Sequence, residues 1–336
     1  MKKTKVAILF TLMLALLPST VICAEGGESY TPQNSTWKNP ATEWLSKAKV
    51  GAFTHFLRDK SNADIINQFD VKELVDQLSK AKVGYFVFTL GQNSGYYNAP
   101  NAVYDKLTGY KAGERCSKRD VPMELAKALK KKGIRFMLYL PCQTPNQDLQ
   151  AVKNIGFPTE TANTDRKMTK KGTENWAKVI AWWSKHYGTL VSGWWFDGGY
   201  QHCQFDSKIA KIYAEAAKSG NKNAIVTFNP GVKLERATTA EDYTAGEINE
   251  PLKEIISDRW IDGSQAHVLT YMGDTWGKHN LRFNDSKWIK WVKTFTNKGG
   301  AVSIDMGVNY DPAKGPIGQI DDEQIKQLQN IIEGIK

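Results

Sequence analysis

The run Trp194-Trp195-Phe196-Asp197-Gly198-Gly199 carries the strongest chemical signal in the sequence. An acid closes an apolar stretch that reads as a strand, with tryptophans before it and glycines after it. A carboxylate so placed stands at the edge of the core, and the glycines let a ligand come close to the backbone. The plainer role, capping the following helix, needs no such aromatic company. A carboxylate alone does only half of a hydrolysis. Glycosidic-bond cleavage takes two: one protonates the leaving oxygen while the other attacks or activates water. Residues 241–250 supply Glu241, Glu247 and Glu250, and composition does not choose among them. His55, in Gly51-Ala52-Phe53-Thr54-His55-Phe56, ends another predicted strand, where an imidazole can hold sugar hydroxyls. His186, His202, His267 and His279 form no ligand-like pair and read as structural. Cys116, Cys142 and Cys203 have neither a CxxC partner nor a histidine at ligand spacing. No metal and no cofactor are therefore expected, and one disulfide among the three is compatible with an oxidising compartment.

These groups need elements to hold them. Periodicity predicts strands over Val50–Phe56, Tyr85–Leu90, Ile134–Leu140, Val191–Phe196, Ala224–Phe228, His267–Tyr271 and Ala301–Met306. It predicts helices over Val71–Ala81, Val121–Lys132, Thr173–Tyr187, Ser207–Ala217, Lys287–Thr296 and Asp321–Ile335, with Gly133 and Gly188 as stops. Strands apolar throughout, each followed by a helix, argue a parallel sheet covered on both faces. About seven such repeats favour an α/β fold of the closed (β/α)8 TIM-barrel type. No GxGxxG follows the first strand, which counts against a dinucleotide fold. The long irregular stretches 91–118, 141–172 and 230–265 all follow strands, on the face of a barrel that carries chemistry.

Composition narrows the partners. The formal net charge is +10, but lysines and acids are interspersed, and the run Lys130-Lys131-Lys132 falls at a helix end, where cations suit the dipole. That pattern is a solvated surface and not a nucleic-acid footprint. Eleven Trp, thirteen Tyr and thirteen Phe are many for 336 residues, and aromatics that line clefts stack on sugar faces. At the N-terminus, Lys2, Lys3 and Lys5 precede an apolar stretch, Val6 to Leu17, too short to span a bilayer. Residues 1–24 read as an export signal, residues 25–40 as a lead segment and residues 41–336 as one domain. Removing the three lysines takes the formal charge from +10 to +7. Export implies a periplasmic or extracellular protein, with Cys23 as a candidate lipid-anchor site.

The motifs, taken in order, resemble glycoside hydrolase family 29, the retaining α-L-fucosidases, from Trp44 to Ile335. Trp44-Leu45-Ser46-Lys47-Ala48-Lys49-Val50-Gly51-Ala52-Phe53-Thr54-His55-Phe56 is similar to that family's opening W-F-x-x-A-K-F-G-x-F-I-H-W. Leu78 to Leu90 resembles its A-G-A-K-Y-x-V-x-T strand. Lys118-Arg119-Asp120 and Gly133 to Tyr139 resemble its R-D and G-x-x-x-G-x-Y segments. Trp195-Phe196-Asp197 resembles the W-x-D that carries the nucleophile, and Asp242 to Glu247 resembles D-[FY]-x-T-x-E. Thr275-Trp276-Gly277 and Lys298 to Gly307 resemble its later turn and K-G-G-N segments. The resemblance implies Asp197 as nucleophile and Glu247 as acid/base, with Glu250 in reserve. It implies a sugar pocket lined by His55 and Trp195, with Gln92, Asn93 and Tyr139 as further candidates for substrate binding, and an exo-acting enzyme on a fucosylated glycan or polysaccharide.

The departures bear on the substrate. Where the family has two adjacent histidines, this sequence reads Leu90-Gly91-Gln92-Asn93-Ser94-Gly95, amides of different reach and no charge. The arginine expected after the fifth strand is replaced by Asn229-Pro230-Gly231, and Arg236 is the candidate substitute. The chain reaches Lys336 just past the last predicted barrel helix, which implies the catalytic barrel without a C-terminal β-sandwich. A changed hydroxyl-binding pair can change which sugar fits. A glycosidase for another sugar or for internal polysaccharide linkages, and an inactive carbohydrate-binding relative, are the alternatives.

Overall fold

A computed structural model describes residues 38–160 and 166–336. The export signal, Cys23 and most of the lead segment lie outside the described residues. In chain order the elements are α1 (Glu43–Ala48), β1 (Val50–Thr54), α2 (Val71–Ala81), β2 (Tyr85–Thr89), α3 (Ala102–Thr108), α4 (Val121–Lys131), β3 (Arg135–Pro141), α5 (Leu149–Ile155), α6 (Lys170–Tyr187), β4 (Gly193–Asp197), α7 (Ser207–Ala217) and β5 (Ile225–Phe228). A short hairpin, β6 (Trp260–Ile261) and β7 (Ser264–Gln265), leads into β8 (His267–Tyr271), α8 (Asp285–Asn297), β9 (Ala301–Met306) and α9 (Asp322–Gly334). The main sheet is parallel throughout and ordered β5-β4-β3-β2-β1-β9-β8.

Seven strands leave a gap between β5 and β8, and residues 242–248 fill it. On one side the Asp242 amide donates to Val226 O at 2.9 Å, and Val226 N donates back to the Asp242 carboxylate at 2.8 Å. On the other, Gln265 N donates to Asp242 O, Thr244 N to Gln265 O, Leu269 N to Gly246 O and Ile248 N to Leu269 O. The ladder skips a rung at His267, whose N–H and C=O both bond the Thr244 hydroxyl, at 2.9 and 2.8 Å. Gly246 is the reason. It sits at φ +57°, and a Cβ there would lie 2.0 Å from His267 O. Only glycine takes that kink so close to a neighbouring backbone. The barrel is thus closed by an irregular eighth stave.

Strand side chains alternate in and out, period two. Val50, Phe86, Phe136, Trp194, Val226 and Val302 face the helices, in the larger of two apolar clusters. Phe53, Tyr85, Val87, Met137, Tyr139, Trp195, Ile225, Tyr243, Ala245 and Leu269 fill the barrel, with Leu45 from α1 closing its lower end. The same parity turns His55, Asp197 and Asp305 inward, so position along the strand decides which groups reach the mouth.

Most predicted elements stand within a few residues of their expected bounds. Helix α6 begins at Lys170 and not Thr173, because the Thr169 side chain caps it by accepting from Gly172 N at 3.0 Å. Helices α3 and α5 lie inside stretches expected to be irregular, both shorter than the windows over which periodicity registers. Cys116, Cys142 and Cys203 are buried thiols. Among the described residues, no helix is long and apolar enough to cross a membrane.

Candidate active site

A cavity of about 360 Å³ opens at the C-terminal mouth of the barrel, within the range of small-molecule sites. Its lining includes His55, Gln92, Tyr139, Trp195, Asp197 and Glu247, so six of the residues singled out from sequence meet in one place. Tyr200, Leu57, Leu269, Trp276 and Gly277 complete it.

Asp197 is the last residue of β4 and points into this cavity; it does not cap α7, whose cap is Asp206. Its Oδ2 accepts from the Tyr139 hydroxyl at 2.5 Å, and Tyr139 in turn accepts from Gln92 Nε2 at 2.8 Å. Gln92 therefore fixes the Tyr139 hydroxyl so that its proton faces Asp197. The Asp197 Oδ1 accepts from Asn229 Nδ2 at 2.9 Å. Trp195 forms the floor, with its ring stacked on Tyr139 at 5.4 Å and its indole N–H bound to Ala245 O.

Glu247 stands on the closing stave. Asn229 Nδ2 donates to its Oε2 at 2.5 Å as well as to Asp197 at 2.9 Å, so those two carboxyl oxygens are no more than 5.4 Å apart. Burial, and then the Asp197 charge, push the Glu247 carboxyl up to about 7, against the opposing pull of the Asn229 hydrogen bond and of His55. Near neutral pH this carboxyl can hold a proton to give. His55 follows β1, and its Nδ1 lies 2.9 Å from Oδ1 of Asp305, a fully buried residue of β9. The other Asp305 oxygen accepts from Gly277 N at 2.7 Å. Burial opposes charge on His55, but the Asp305 charge and hydrogen bond together with the Asp197 and Glu247 charges outweigh it, and the imidazole pKa rises. Trp276 meets His55 edge to face, with centroids 5.6 Å apart.

The other glutamates are elsewhere. Glu250 is exposed ahead of a short 3-10 turn, Pro251–Lys253. Glu241 is buried behind the stave with Oε2 on Ala237 N, and burial lifts its carboxyl to about 8. Asn93 is not among the cavity residues; its side chain meets Asn146 and its backbone O accepts from Gln147 N. Arg236 does not replace the missing arginine, since its guanidinium donates to backbone oxygens of Thr238, Thr239 and Asp262, away from the cavity.

Sequence reasoning marked Asn229 only as standing where an arginine was expected, and it passed over Tyr200 and Asp305 altogether. Strand register brings Asn229 to the site: Phe196 pairs with Phe228, so the residues that follow them, Asp197 and Asn229, are neighbours at the ends of adjacent strands.

Residues 61–333 match the family model described as Alpha-L-fucosidase. No curated protein matches the chain. Among solved structures, the endo-fucoidan hydrolase MfFcnA4 of glycoside hydrolase family 107 is similar at TM-score 0.70 and 16% identity, over 90% of this chain and 54% of that one. The chain thus spans about half the length of that enzyme. The α-L-fucosidase AlfC from Lactobacillus casei, solved with its α-L-fucose product, is similar at TM-score 0.61 and 16% identity, over 87% of this chain and 97% of that one. An α-L-fucosidase from Paenibacillus thiaminolyticus, isoenzyme 1, is similar at TM-score 0.61 and 16% identity, over 87% and 74%. Identities this low establish a shared fold.

Proposed function

Because the chain belongs to the α-L-fucosidase family of glycoside hydrolases, we propose that it is a retaining, exo-acting α-L-fucosidase with Asp197 as nucleophile and Glu247 as acid/base. One observation carries the reading: an ionisable pair joined through one amide, with oxygens no more than 5.4 Å apart and one carboxyl raised to about 7. Retaining enzymes hold their carboxyls about 5–5.5 Å apart, whereas inverting ones leave about 6.5–9.5 Å for a water.

The steps follow from that geometry. Asp197 attacks the anomeric carbon as Glu247 gives its proton to the departing glycosidic oxygen, so one C–O bond forms as the other breaks. Glu247, now ionised, takes a proton from water as that water attacks the same carbon and releases Asp197. The cycle ends with Glu247 protonated and Asp197 a carboxylate. Tyr139 steadies Asp197, Trp195 offers an apolar floor, and His55, oriented by Asp305, reaches sugar hydroxyls. The N-terminal sequence supports action outside the cytoplasm, at the periplasm or beyond.

A second reading, a related glycosidase for a substituted sugar or an internal linkage, is favoured by one feature. Gln92 is committed to Tyr139 and Asn93 faces Asn146, so no charged pair holds the sugar on that side. Hydrolysis of 4-nitrophenyl α-L-fucoside by the mature protein, beside Asp197→Ala, tests the first reading. Turnover that falls by several powers of ten in the variant supports it. Equal rates would sink the nucleophile assignment. Inactivity on the fucoside with release of oligosaccharides from a fucan would favour the second.

A further inference from the structure

The amide of Asn229 is tied on every side. The residue is fully buried. Its backbone N–H donates to Phe196 O at 2.7 Å, and its Oδ1 accepts from Gly231 N at 3.1 Å. With Oδ1 so engaged, Nδ2 must face the site, and each of its two hydrogens has one acceptor: Asp197 Oδ1 and Glu247 Oε2. An amide so held cannot accept a proton from either carboxyl. Because Oε2 of Glu247 is already an acceptor there, a proton on Glu247 belongs on Oε1, which takes no hydrogen bond among the described residues. We propose that Asn229 is a positioning residue that sets the spacing of the two carboxyls and confines the working proton to Glu247 Oε1. The proposal rests on the reading of Asp197 and Glu247 as a catalytic pair.

A neutral donor suits this position better than a cation would. A guanidinium there would lower the carboxyl that has to stay protonated. The groups that act on Glu247 are Asp197 from β4, His55 from the end of β1 and Asn229 after β5. Tyr139 and Tyr200 line the same cavity, and Asp305 stands behind His55. Of these, Asn229 alone bonds both carboxyls directly.

Two variants test the proposal. Asn229→Ala removes both hydrogen bonds. Asn229→Asp keeps the shape and the bond from Gly231 N, so its fold is safer, but replaces the donor by an acid. Loss of the donor removes a bond that favours ionised Glu247, so the alkaline limb of kcat/KM moves upward, by about one pH unit. The rate at the optimum falls about ten- to a hundredfold. A role in packing alone would lower the rate without moving the limb. A second measurement does not need turnover: the side-chain carboxyl carbon of Glu247, assigned with Glu247→Gln, is titrated by NMR in the mature protein and in Asn229→Ala, which removes the donor without adding a charge. An upward move in the variant supports the clamp. An unmoved titration in a folded variant overturns it, whatever the activity. If the wild-type protein hydrolyses no glycoside, the catalytic reading fails separately and this titration still decides the clamp.

Discussion

At the scale of single residues, two carboxyls of one chemistry are set apart by their surroundings. Asp197 receives hydrogen bonds from Tyr139 and Asn229, whereas Glu247 receives one, and desolvation and the facing Asp197 charge raise it. Raising a folded carboxyl from 4.5 to about 7 has a cost above that window. The folded state holds the proton more tightly, so the stabilisation it gives is fully present below about 4.5 and gone above about 7. Glu247→Gln should therefore lose turnover on poor leaving groups yet melt higher than the wild type at pH 8, with the difference vanishing near pH 4 in parallel melting curves. A variant less stable at pH 8 would mean that the folded state does not raise the Glu247 carboxyl. Sequence made Asp197 legible because an acid between tryptophans and glycines is rare. Composition left Glu247 among three glutamates until the family resemblance chose it, and Asn229 was marked only as standing in place of an arginine, since a side chain's partners follow from strand register, which periodicity does not carry.

At the scale of elements, the regular strands were readable because they are apolar throughout, and parallel strands buried on both faces have to be. The eighth stave was not. Residues 242–248 are half polar and kinked at Gly246, and they use the Thr244 hydroxyl where a ladder rung would be. That hydroxyl bonds both polar groups of the His267 backbone. Thr244→Val keeps the shape and leaves both unpartnered, at a cost of about 1–3 kcal/mol for each buried group. Chemical denaturation should register the loss, and activity should fall too because Glu247 is three residues along. Full stability in the valine variant would mean that the ladder closes without the hydroxyl.

At the scale of the whole molecule, several buried groups set a pH optimum for stability. Burial holds Glu241 up at about 8 and Glu247 at about 7, so both contribute stability below about 4.5 that is lost as the pH rises through those values. His55 also has a raised pKa, and its contribution is lost in the same direction. His267 opposes them. Burial lowers it to about 4, so it stays neutral between Ser303 and the Thr244 backbone, and stability is lost as the pH falls from about 6.5 to about 4. Melting temperature should therefore peak in mildly acidic buffer, and a double Glu241→Gln, Glu247→Gln variant should flatten the alkaline side. An unchanged alkaline slope in the double variant would refute this account.

The irregular stave also has a meaning for descent. Asp197 stands on a strand locked on both edges, where an inserted residue would turn every later side chain to the opposite face. Glu247 stands on a segment joined to its neighbours by one kink, one hydroxyl and a few rungs, at the end of a long loop. Insertions in that loop can be absorbed without moving the sheet. Across a lineage, Asp197 should hold its place while the distance in sequence from it to Glu247 wanders, so one half of the barrel can be inherited unchanged while the other is retuned.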